Sequence, residues 1–318
     1  MLEDDELNPE AEILLAKGIA FGYMMRDKEA ITYFDQALEL EPEYPGAWHG
    51  KGTSLYGLEM YEEAIECFER AIELQPEAAK SWNEKGRALS SLNRYDEAIE
   101  CFDRAIDLDP EYTAPWNDKG VSFYKQKKLD EALELFENVI EMNPEDDIAW
   151  RNKGLVFYGR GEYEEAIRSF DVVIRLDPKC FLTWNQKSPA HRKLGQLDEA
   201  MECLDRVIEF YPEDAETWYN KATLLDDEGR YKMAINCLNK TLKLSPRYAK
   251  AWQKKGAILN DRGRYKEAVK CLNKAIKLNP GYADAWREKG VALKALGREA
   301  EAEDAFTTAG ETENSDTM

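Results

Sequence analysis

The sequence predicts an all-α protein built from a tandem array of 34-residue helix-turn-helix units. Three residue types recur at one interval through the 318 residues. Ala recurs every 34 residues from Ala30 to Ala302, and eight of the twelve Pro precede a Trp by six residues. A fixed period of about 20–50 residues is the signature of a repeat array. The eight Trp that mark the interval are Trp48, Trp82, Trp116, Trp150, Trp184, Trp218, Trp252 and Trp286.

The period divides most of the chain into nine units and leaves short ends. Residues 1–10 are predicted to be an acidic N-terminal tail and residues 317–318 a short C-terminal tail. No change of composition interrupts the period, so we predict one domain over residues 11–316. The units are 11–44, 45–78, 79–112, 113–146, 147–180, 181–214, 215–248, 249–282 and 283–316.

The first helix of each unit is predicted by an apolar stripe. In unit 79–112, Trp82, Gly86 and Leu89 follow one another at i, i+4 and i+7, which is the spacing of one helix face. This spacing predicts a helix from Lys80 to Leu92.

Lys stands at the seventh position of every unit. We interpret it as a methylene stem that packs on the seam between units, with an ammonium that balances the acidic second helices. The nine residues are Lys17, Lys51, Lys85, Lys119, Lys153, Lys187, Lys221, Lys255 and Lys289.

A tight turn and a second helix complete each unit. In unit 79–112 the second helix is predicted from Asp96 to Asp109, where Pro110 stops it because proline cannot continue a helix interior. Five units carry Gly at position 15, where the end of a helix favours a positive φ. These are Gly161, Gly195, Gly229, Gly263 and Gly297.

The pattern resembles the tetratricopeptide repeat, and the resemblance covers 306 of the 318 residues. It implies a right-handed superhelical solenoid of nine repeats whose first helices line a concave groove. Members of this family mostly bind peptides or proteins and have no catalysis of their own. In unit 79–112 the resemblance rests on Trp82, Gly86, Leu89, Ala98, Phe102, Ala105 and Pro110.

Composition excludes several classes of protein. The formal net charge of -20 argues against a general nucleic-acid binder, whose affinity comes mainly from neutralising phosphates. The acidic start is the reverse of a basic signal-peptide region, and no apolar run approaches the roughly 20 residues of a membrane span. We therefore expect a soluble, cytoplasmic protein without membrane insertion.

Nothing in the sequence indicates an enzyme, a cofactor site or a metal site. No Walker loop, nucleophile elbow or His-Glu-x-x-His motif occurs. Five of the six Cys share one repeat position, so neighbouring units hold them roughly 10 Å apart, beyond the disulfide limit of about 7 Å. We expect these thiols to be small buried hydrophobes, and we expect no cofactor.

The resemblance also indicates a binding surface. It implies that positions 2, 5, 9, 12 and 13 of each first helix face the groove. In units 79–214 none of these positions is acidic, and they hold many Arg, Lys, Asn and Tyr residues. We hypothesise a non-catalytic interaction scaffold that binds an extended, acidic peptide or partner protein. The proposed groove residues are Lys80, Asn83, Arg87, Asn117, Tyr124, Lys125, Arg151, Tyr158, Asn185, Arg192 and Lys193.

Charge is also segregated along the chain, and this leaves two alternatives open. Residues 1–146 sum to -21, whereas residues 215–282 sum to +9. The basic segment could bind nucleic acid, or it could contact the acidic half of another copy in head-to-tail self-association. A drift to a basic, solvated face would explain it equally well. The outer basic residues are Lys232, Lys240, Lys243, Lys266, Lys270, Lys274 and Lys277.

Unit 181–214 is the least regular of the nine. Ser188 replaces the usual Gly, His191 replaces an apolar residue, and Pro189 stands inside the first helix. Proline there removes the hydrogen bond to the carbonyl of Asn185 and costs on the order of 3 kcal/mol. The kink could be tolerated by neighbouring units, or it could reshape the groove.

Overall fold

The computed structural model describes residues 8–315, and within them it consists of eighteen α-helices with no strand. Each predicted repeat supplies two consecutive helices, which confirms the all-α array of nine repeats. The first helices are α1 Pro9–Tyr23, α3 Pro45–Gly57, α5 Ala79–Ser91, α7 Thr113–Lys125, α9 Asp147–Arg160, α11 Phe181–Lys193, α13 Ala215–Asp227, α15 Ala249–Asp261 and α17 Ala283–Ala295. The second helices are α2 Asp27–Leu40, α4 Tyr61–Leu74, α6 Tyr95–Leu108, α8 Leu129–Met142, α10 Tyr163–Leu176, α12 Leu197–Phe210, α14 Tyr231–Leu244, α16 Tyr265–Leu278 and α18 Glu299–Ser315.

In repeat 79–112 both helices lie one residue earlier than predicted, at Ala79–Ser91 and Tyr95–Leu108. Helix α1 begins at Pro9, inside the predicted tail, because Asn8 accepts a hydrogen bond from the backbone N–H of Glu10 and caps the helix. Residues 1–7 of the predicted N-terminal tail, residue 316 and the C-terminal tail 317–318 lie outside the described residues.

By its internal contacts the chain divides into an N-terminal unit that ends at Glu162 and a C-terminal unit that begins at Tyr163. The single domain over residues 11–316 stays a prediction.

Every Trp is held by the Pro that precedes it. In all eight tryptophan-bearing repeats the indole Nε1 donates a hydrogen bond to the carbonyl oxygen of the Pro six residues earlier. The distance is 3.2 Å from Trp116 to Pro110 and 2.9 Å in the other seven. A half-buried indole needs a partner for its N–H, and the carbonyl of the Pro that follows the preceding helix provides one. This bond explains the constant six-residue separation of the two markers.

The Lys at position 7 joins neighbouring repeats, as its regular spacing suggested. Lys85 lies 2.8 Å from Glu69, and Lys153 lies 2.8 Å from Glu137, in each case sixteen residues back on the preceding second helix. The six ion-paired lysines of this series are only 14–24% exposed, so the stems are packed while the ammonium groups meet carboxylates. The six pairs are Lys51–Asp35, Lys85–Glu69, Lys119–Asp103, Lys153–Glu137, Lys187–Asp171 and Lys221–Asp205.

Small residues at position 8 allow the two helices of a hairpin to approach. A Cβ added to Gly86 would lie 2.5 Å from the ring of Phe102, which is fully buried. Repeats that lack this Gly have a smaller residue in place of the Phe. Ser188 and Ala222 stand at position 8 of their repeats, and position 24 of the same repeats holds Leu204 and Leu238, respectively. In these two repeats a larger residue at position 8 is matched by a smaller one at position 24, as close packing requires.

In every repeat the turn between the two helices contains one residue in the left-handed conformation. The five predicted Gly residues have φ between 70° and 81°, which confirms their assignment. The other four repeats place a residue with a side chain in the same conformation: Met25, Glu59, Asn93 and Lys127, with φ of 55–66°. An L-residue is strained there, whereas Gly is not.

The irregular sixth repeat keeps its fold. Helix α11 continues through Pro189, which is exposed. The buried Ser188 hydroxyl donates to the carbonyl of Ala200 at 2.9 Å, and the ring Nδ1 of His191 lies 2.7 Å from Oε1 of Gln196. Both polar substitutions therefore have partners inside the hairpin, as buried polar groups require.

Candidate functional site

The predicted groove residues fall into two sets, one in the N-terminal unit, which ends at Glu162, and one in the C-terminal unit, which begins at Tyr163. Lys80, Asn83, Arg87, Asn117, Tyr124, Lys125, Arg151 and Tyr158 belong to the N-terminal unit, on α5, α7 and α9. Asn185, Arg192 and Lys193 belong to α11 in the C-terminal unit. In the N-terminal unit, neighbouring first helices contact one another along the series α3, α5, α7 and α9. Their shared surface is called the first-helix face below.

Two of the predicted residues are buried and connect neighbouring repeats. Asn83 is 1% exposed, and its Nδ2 donates to Oδ2 of Asp118 at 3.2 Å. Asn117 is also buried, and its Nδ2 donates to Oδ1 of Asp146 at 3.4 Å. Asn185 makes a similar contact between repeats in the C-terminal unit, where its Oδ1 accepts a hydrogen bond from the Thr217 hydroxyl at 3.2 Å. These asparagines hold adjacent first helices in register, and Asn83 and Asn117 offer almost no surface to a ligand.

Arg87 lies at the centre of a polar cluster on the first-helix face. Its Nη1 donates to both carboxylate oxygens of Glu84 at 3.0 Å, and its Nε lies 3.9 Å from Asp118. Its guanidinium carbon lies 5.0 Å from the ring centre of Tyr56, a cation–π distance. The arginine is therefore fixed in position by two carboxylates and an aromatic ring.

Asp118 is the unusual titratable group of this cluster. Burial raises the pKa of Asp118 to about 6, although Arg87 and the hydrogen bond from Asn83 act in the opposite direction. Glu84 and Asp118 stand at position 6 of their repeats, which is outside the groove positions implied by the family resemblance. Sequence reasoning therefore missed them, and the face near Arg87 contains acids that were not expected there.

A cavity of about 420 Å³ opens beside this cluster. Arg87, Ser90 and Lys125 line it together with Tyr56 and Asp118, and we call it the α5 cavity. Lys125 is exposed and forms no ion pair with any residue that the structure describes. The cavity thus combines one constrained arginine, one uncommitted ammonium group and aromatic surface.

A second cavity, of about 540 Å³, lies at the N-terminal ends of α3 and α5. Lys80 lies at this cavity with His49, Ser81 and Tyr112. The ring Nδ1 of His49 is 3.0 Å from the Ser81 hydroxyl, and burial lowers the pKa of His49 below its usual range. Lys80 is exposed and has no ionic partner among residues 8–315.

The remaining predicted groove residues are more dispersed. Tyr124 and Arg151 are half-buried on α7 and α9. In the C-terminal unit, Arg192 is exposed but already lies 2.5 Å from Asp227, and Lys193 is exposed.

The seven outer basic residues lie on α14 and α16 as expected from their repeat positions. Six of them are exposed, and Lys240 is half-buried. Lys240 lies 3.7 Å from Glu213, and the Lys274 ammonium lies 4.1 Å from the ring centre of Trp252. The other five have no ion pair with any residue in the described part of the chain.

The six thiols are free, and five of them are buried. Burial raises the pKa of Cys67 and Cys101 to about 11 and that of Cys203 to about 12, so these thiols stay protonated and behave as apolar groups.

Over the described residues, no group of three or more His, Cys, Asp and Glu side chains is placed to hold a metal ion. None of the helices in residues 8–315 is long and apolar enough to cross a bilayer.

Comparison with family models gives one consistent result. Models described as tetratricopeptide repeat match residues 11–44, 49–113, 117–179, 183–224 and 215–248. A further model, described as TPR repeat, matches residues 256–297. No curated protein sequence matches the chain.

Solved structures resemble the chain in fold. The APC/C hetero-tetramer Cut9–Hcn1 matches with a TM-score of 0.61 and 18% identity, covering 91% of this chain and 57% of that chain. A tetratricopeptide repeat protein from Parabacteroides merdae matches with a TM-score of 0.61 and 16% identity, covering 75% of this chain and 94% of its own. Pseudomonas aeruginosa pilF matches with a TM-score of 0.56 and 19% identity, covering 64% of this chain and 92% of its own.

Proposed function

Because the chain belongs to the tetratricopeptide-repeat family, we propose that it is a non-catalytic scaffold that holds an extended, acidic segment of a partner protein. The family supports a protein–protein interaction scaffold in general terms. The acidic character of the partner, and its location on the first-helix face of the N-terminal unit, are the specific parts of this proposal.

The single observation that carries the proposal is the placement of cations along α5 and α7. Lys80 and Lys125 are exposed without ionic partners among the described residues. Arg87 follows Lys80 on α5 by two helical turns, lines the α5 cavity with Lys125, and has its guanidinium held in place. Arg and Lys side chains recognise carboxylates, and a preorganised arginine loses little freedom on binding. Tyr56 and Tyr124 add amphipathic contact area beside these charges.

The spacing of the cations sets the form of the peptide. Lys80 and Arg87 are seven residues apart on α5, which corresponds to about 10 Å along the helix axis. An extended peptide in the polyproline II conformation rises about 3.1 Å per residue with three residues per turn, so carboxylates three residues apart would lie on one side of it, about 9 Å apart. We expect a segment with Asp or Glu at that spacing to bind better than one with adjacent acids.

Fluorescence anisotropy with a labelled peptide tests the proposal directly. The probe carries Glu residues three positions apart, and its control is the same peptide with Gln in their place. The double substitution Lys80→Ala with Lys125→Ala should weaken binding of the Glu peptide about tenfold, since two charge-assisted contacts are lost. The matched control, Lys28→Ala with Arg104→Ala, removes two exposed cations from second helices of the same unit and should leave affinity unchanged.

Two results would count against this assignment. Equal affinity for the Glu and Gln peptides would show that carboxylates are not recognised. An equal loss in the Lys80/Lys125 and Lys28/Arg104 variants would show that only overall charge matters, and not the first-helix face.

A further inference from the structure

Two outer surfaces of the chain carry opposite charge at the same repeat positions. Positions 18, 22 and 29 of a second helix lie within a narrow arc, because steps of four and eleven residues nearly complete whole helical turns. On α4 and α6 these positions hold only carboxylates, and we call this surface the acidic face: Glu62, Glu66, Glu73, Asp96, Glu100 and Asp107. On α14 and α16 five of the six hold lysine, and we call this surface the basic face: Lys232, Lys243, Lys266, Lys270 and Lys277.

The charges on both faces are exposed and largely uncommitted. All eleven residues are exposed, and none of the five lysines has an ion pair with another described residue. On the acidic face, Glu66, Glu100 and Asp107 likewise lack an ion pair within residues 8–315. Glu62 and Glu73 lie 3.5 Å from Arg94 and 2.8 Å from Arg70, respectively. Exposed ion pairs of that kind contribute little to stability, so either carboxylate can pair with a cation of another molecule at little cost.

The repeat gives the two faces the same dimensions. Along each helix the charged positions span eleven residues, about 16 Å, whether the side chain is acidic or basic. A row of ammonium groups on α16 therefore has the same length as a row of carboxylates on α4 or α6. Evenly matched rows of opposite charge are a basis for complementarity between two protein surfaces.

We propose that the basic face of one copy of this chain docks on the acidic face of a second copy. Because the two faces are different surfaces, each copy keeps one of each available, and association can continue from copy to copy. A net charge of -20 repels any contact that lacks local complementarity. Contacts without facing rows of opposite charge are therefore disfavoured, and the association depends on ionic strength. Helix α8 also holds carboxylates at these positions and extends the acidic face by one row: Asp130, Glu134 and Glu141.

Nucleic acid is the competing occupant of the basic face, and the observations favour a second copy. A polyanion would gain from the five lysines but would meet repulsion from the excess of acids on the rest of the chain. The acidic face, by contrast, presents a finite row of carboxylates whose length matches the lysine rows.

Sedimentation velocity on the full chain measures the proposed association. At about 20 mM salt the weight-average mass should rise with protein concentration, and at about 500 mM salt it should return to that of one chain, because the screening length shortens severalfold. Lys266→Glu with Lys270→Glu should abolish the rise at low salt. Lys250→Glu with Lys294→Glu, two exposed lysines on first helices, changes net charge equally and should preserve it.

A charge swap separates docking from a general effect of charge. Glu66→Lys with Glu100→Lys should also weaken self-association severalfold, although the carboxylates of α8 remain, and mixing this variant with the Lys266/Lys270 variant should restore it between unlike copies. Circular dichroism matching that of the unsubstituted protein establishes that each variant is folded.

Three outcomes would overturn the inference. The unsubstituted protein could remain a single chain at about 100 µM and low salt, which would place any Kd above that range. The mixed variants could fail to associate. The Lys266/Lys270 variant could instead lose binding to an oligouridylate probe that the unsubstituted, monomeric protein retains, which would assign the basic face to nucleic acid.

Discussion

At the scale of single residues, the turn between the two helices of each repeat tolerates residues other than Gly in a left-handed conformation. Nine repeats place a residue with positive φ at position 15, and only five of them use Gly. Lys127 is exposed with φ of 66°, so its side chain gains nothing from the strained conformation. A left-handed residue with a Cβ costs about 1–2 kcal/mol, and a Gly loses roughly 0.5–1 kcal/mol more entropy on folding.

Lys127→Gly should therefore raise the free energy of unfolding by about 0.5–1 kcal/mol. Gly263→Ala, at φ of 70° with nothing near its added Cβ, should lower it by about 1 kcal/mol through strain alone. Asn93→Gly should gain less, because Asn visits this conformation more readily and because its Oδ1 accepts a hydrogen bond from the Tyr95 hydroxyl at 2.6 Å. Urea denaturation followed by circular dichroism measures all three, and a destabilised Lys127→Gly protein would contradict the argument.

Asp118 gives the N-terminal unit a specific dependence on pH. Its pKa is raised to about 6 by burial, so the folded state holds the proton more tightly than the unfolded chain, where Asp ionises near 3.9. The stability contributed by protonation is present below the unfolded pKa and is lost as pH rises through about 6. Lowering the pH from 7 to 5 should therefore stabilise the unsubstituted protein relative to Asp118→Asn.

The measurement is urea denaturation of both proteins at pH 7 and pH 5. The titration of His49 contributes to both proteins and cancels in the difference between them. A difference that is the same at the two pH values would show that Asp118 does not titrate in this range.

At the scale of the helical hairpin, one pair of positions sets the distance between helices. Gly86 allows Phe102 to fill the space, whereas the seventh repeat combines Ala222 with Leu238, both fully buried. Two solutions of one packing problem thus occur in the same chain. This compensation was visible in the sequence only as scattered exceptions, since the register of positions 8 and 24 becomes a contact only in the folded hairpin.

Gly86→Ala should lower the free energy of unfolding by about 1–3 kcal/mol, because its Cβ would overlap the Phe102 ring. Adding Phe102→Leu should recover part of this loss, with a favourable coupling of more than about 0.5 kcal/mol in a double-mutant cycle. Gly310→Ala, in helix α18 with nothing within 4 Å of the added Cβ, should not destabilise. Strictly additive losses in the cycle would show that the two positions do not share one space.

The hairpin of repeat 79–112 shows which features could be predicted from the sequence and which could not. The period placed two helices in every repeat, and in repeat 79–112 their ends lie within one residue of the predicted ones, because apolar spacing and Pro are local signals. The surroundings of Arg87 were not predictable in the same way. Asp118 reaches Arg87 from the next repeat, at a position that the family pattern does not assign to the groove, and Asn83 is buried by that same neighbour. Which polar residues are exposed depends on contacts between repeats.

At the scale of the whole chain, a repeat array differs from a globular domain in how far a perturbation travels. Within each unit the repeats contact their neighbours along the chain, through the Lys–carboxylate pairs and the Phe or Leu packing. Stability in such arrays is a sum of repeat terms and nearest-neighbour terms, so a substitution in one repeat destabilises mainly that repeat and those beside it.

Native-state hydrogen exchange of two matched variants tests this locality. Gly86→Ala should speed amide exchange in α3 to α8 and leave α13 to α18 unchanged, because opening is governed by local contacts. Gly290→Ala, whose Cβ would lie 2.6 Å from the Phe306 ring, should show the reverse pattern, with faster exchange in α15 to α18 and unchanged exchange in α3 to α8. The two variants carry the same chemical change at the same repeat position, so each is the control for the other. Equal acceleration along the whole chain in both variants would mean that the nine repeats open as one cooperative block, and the nearest-neighbour account would then be wrong for this protein.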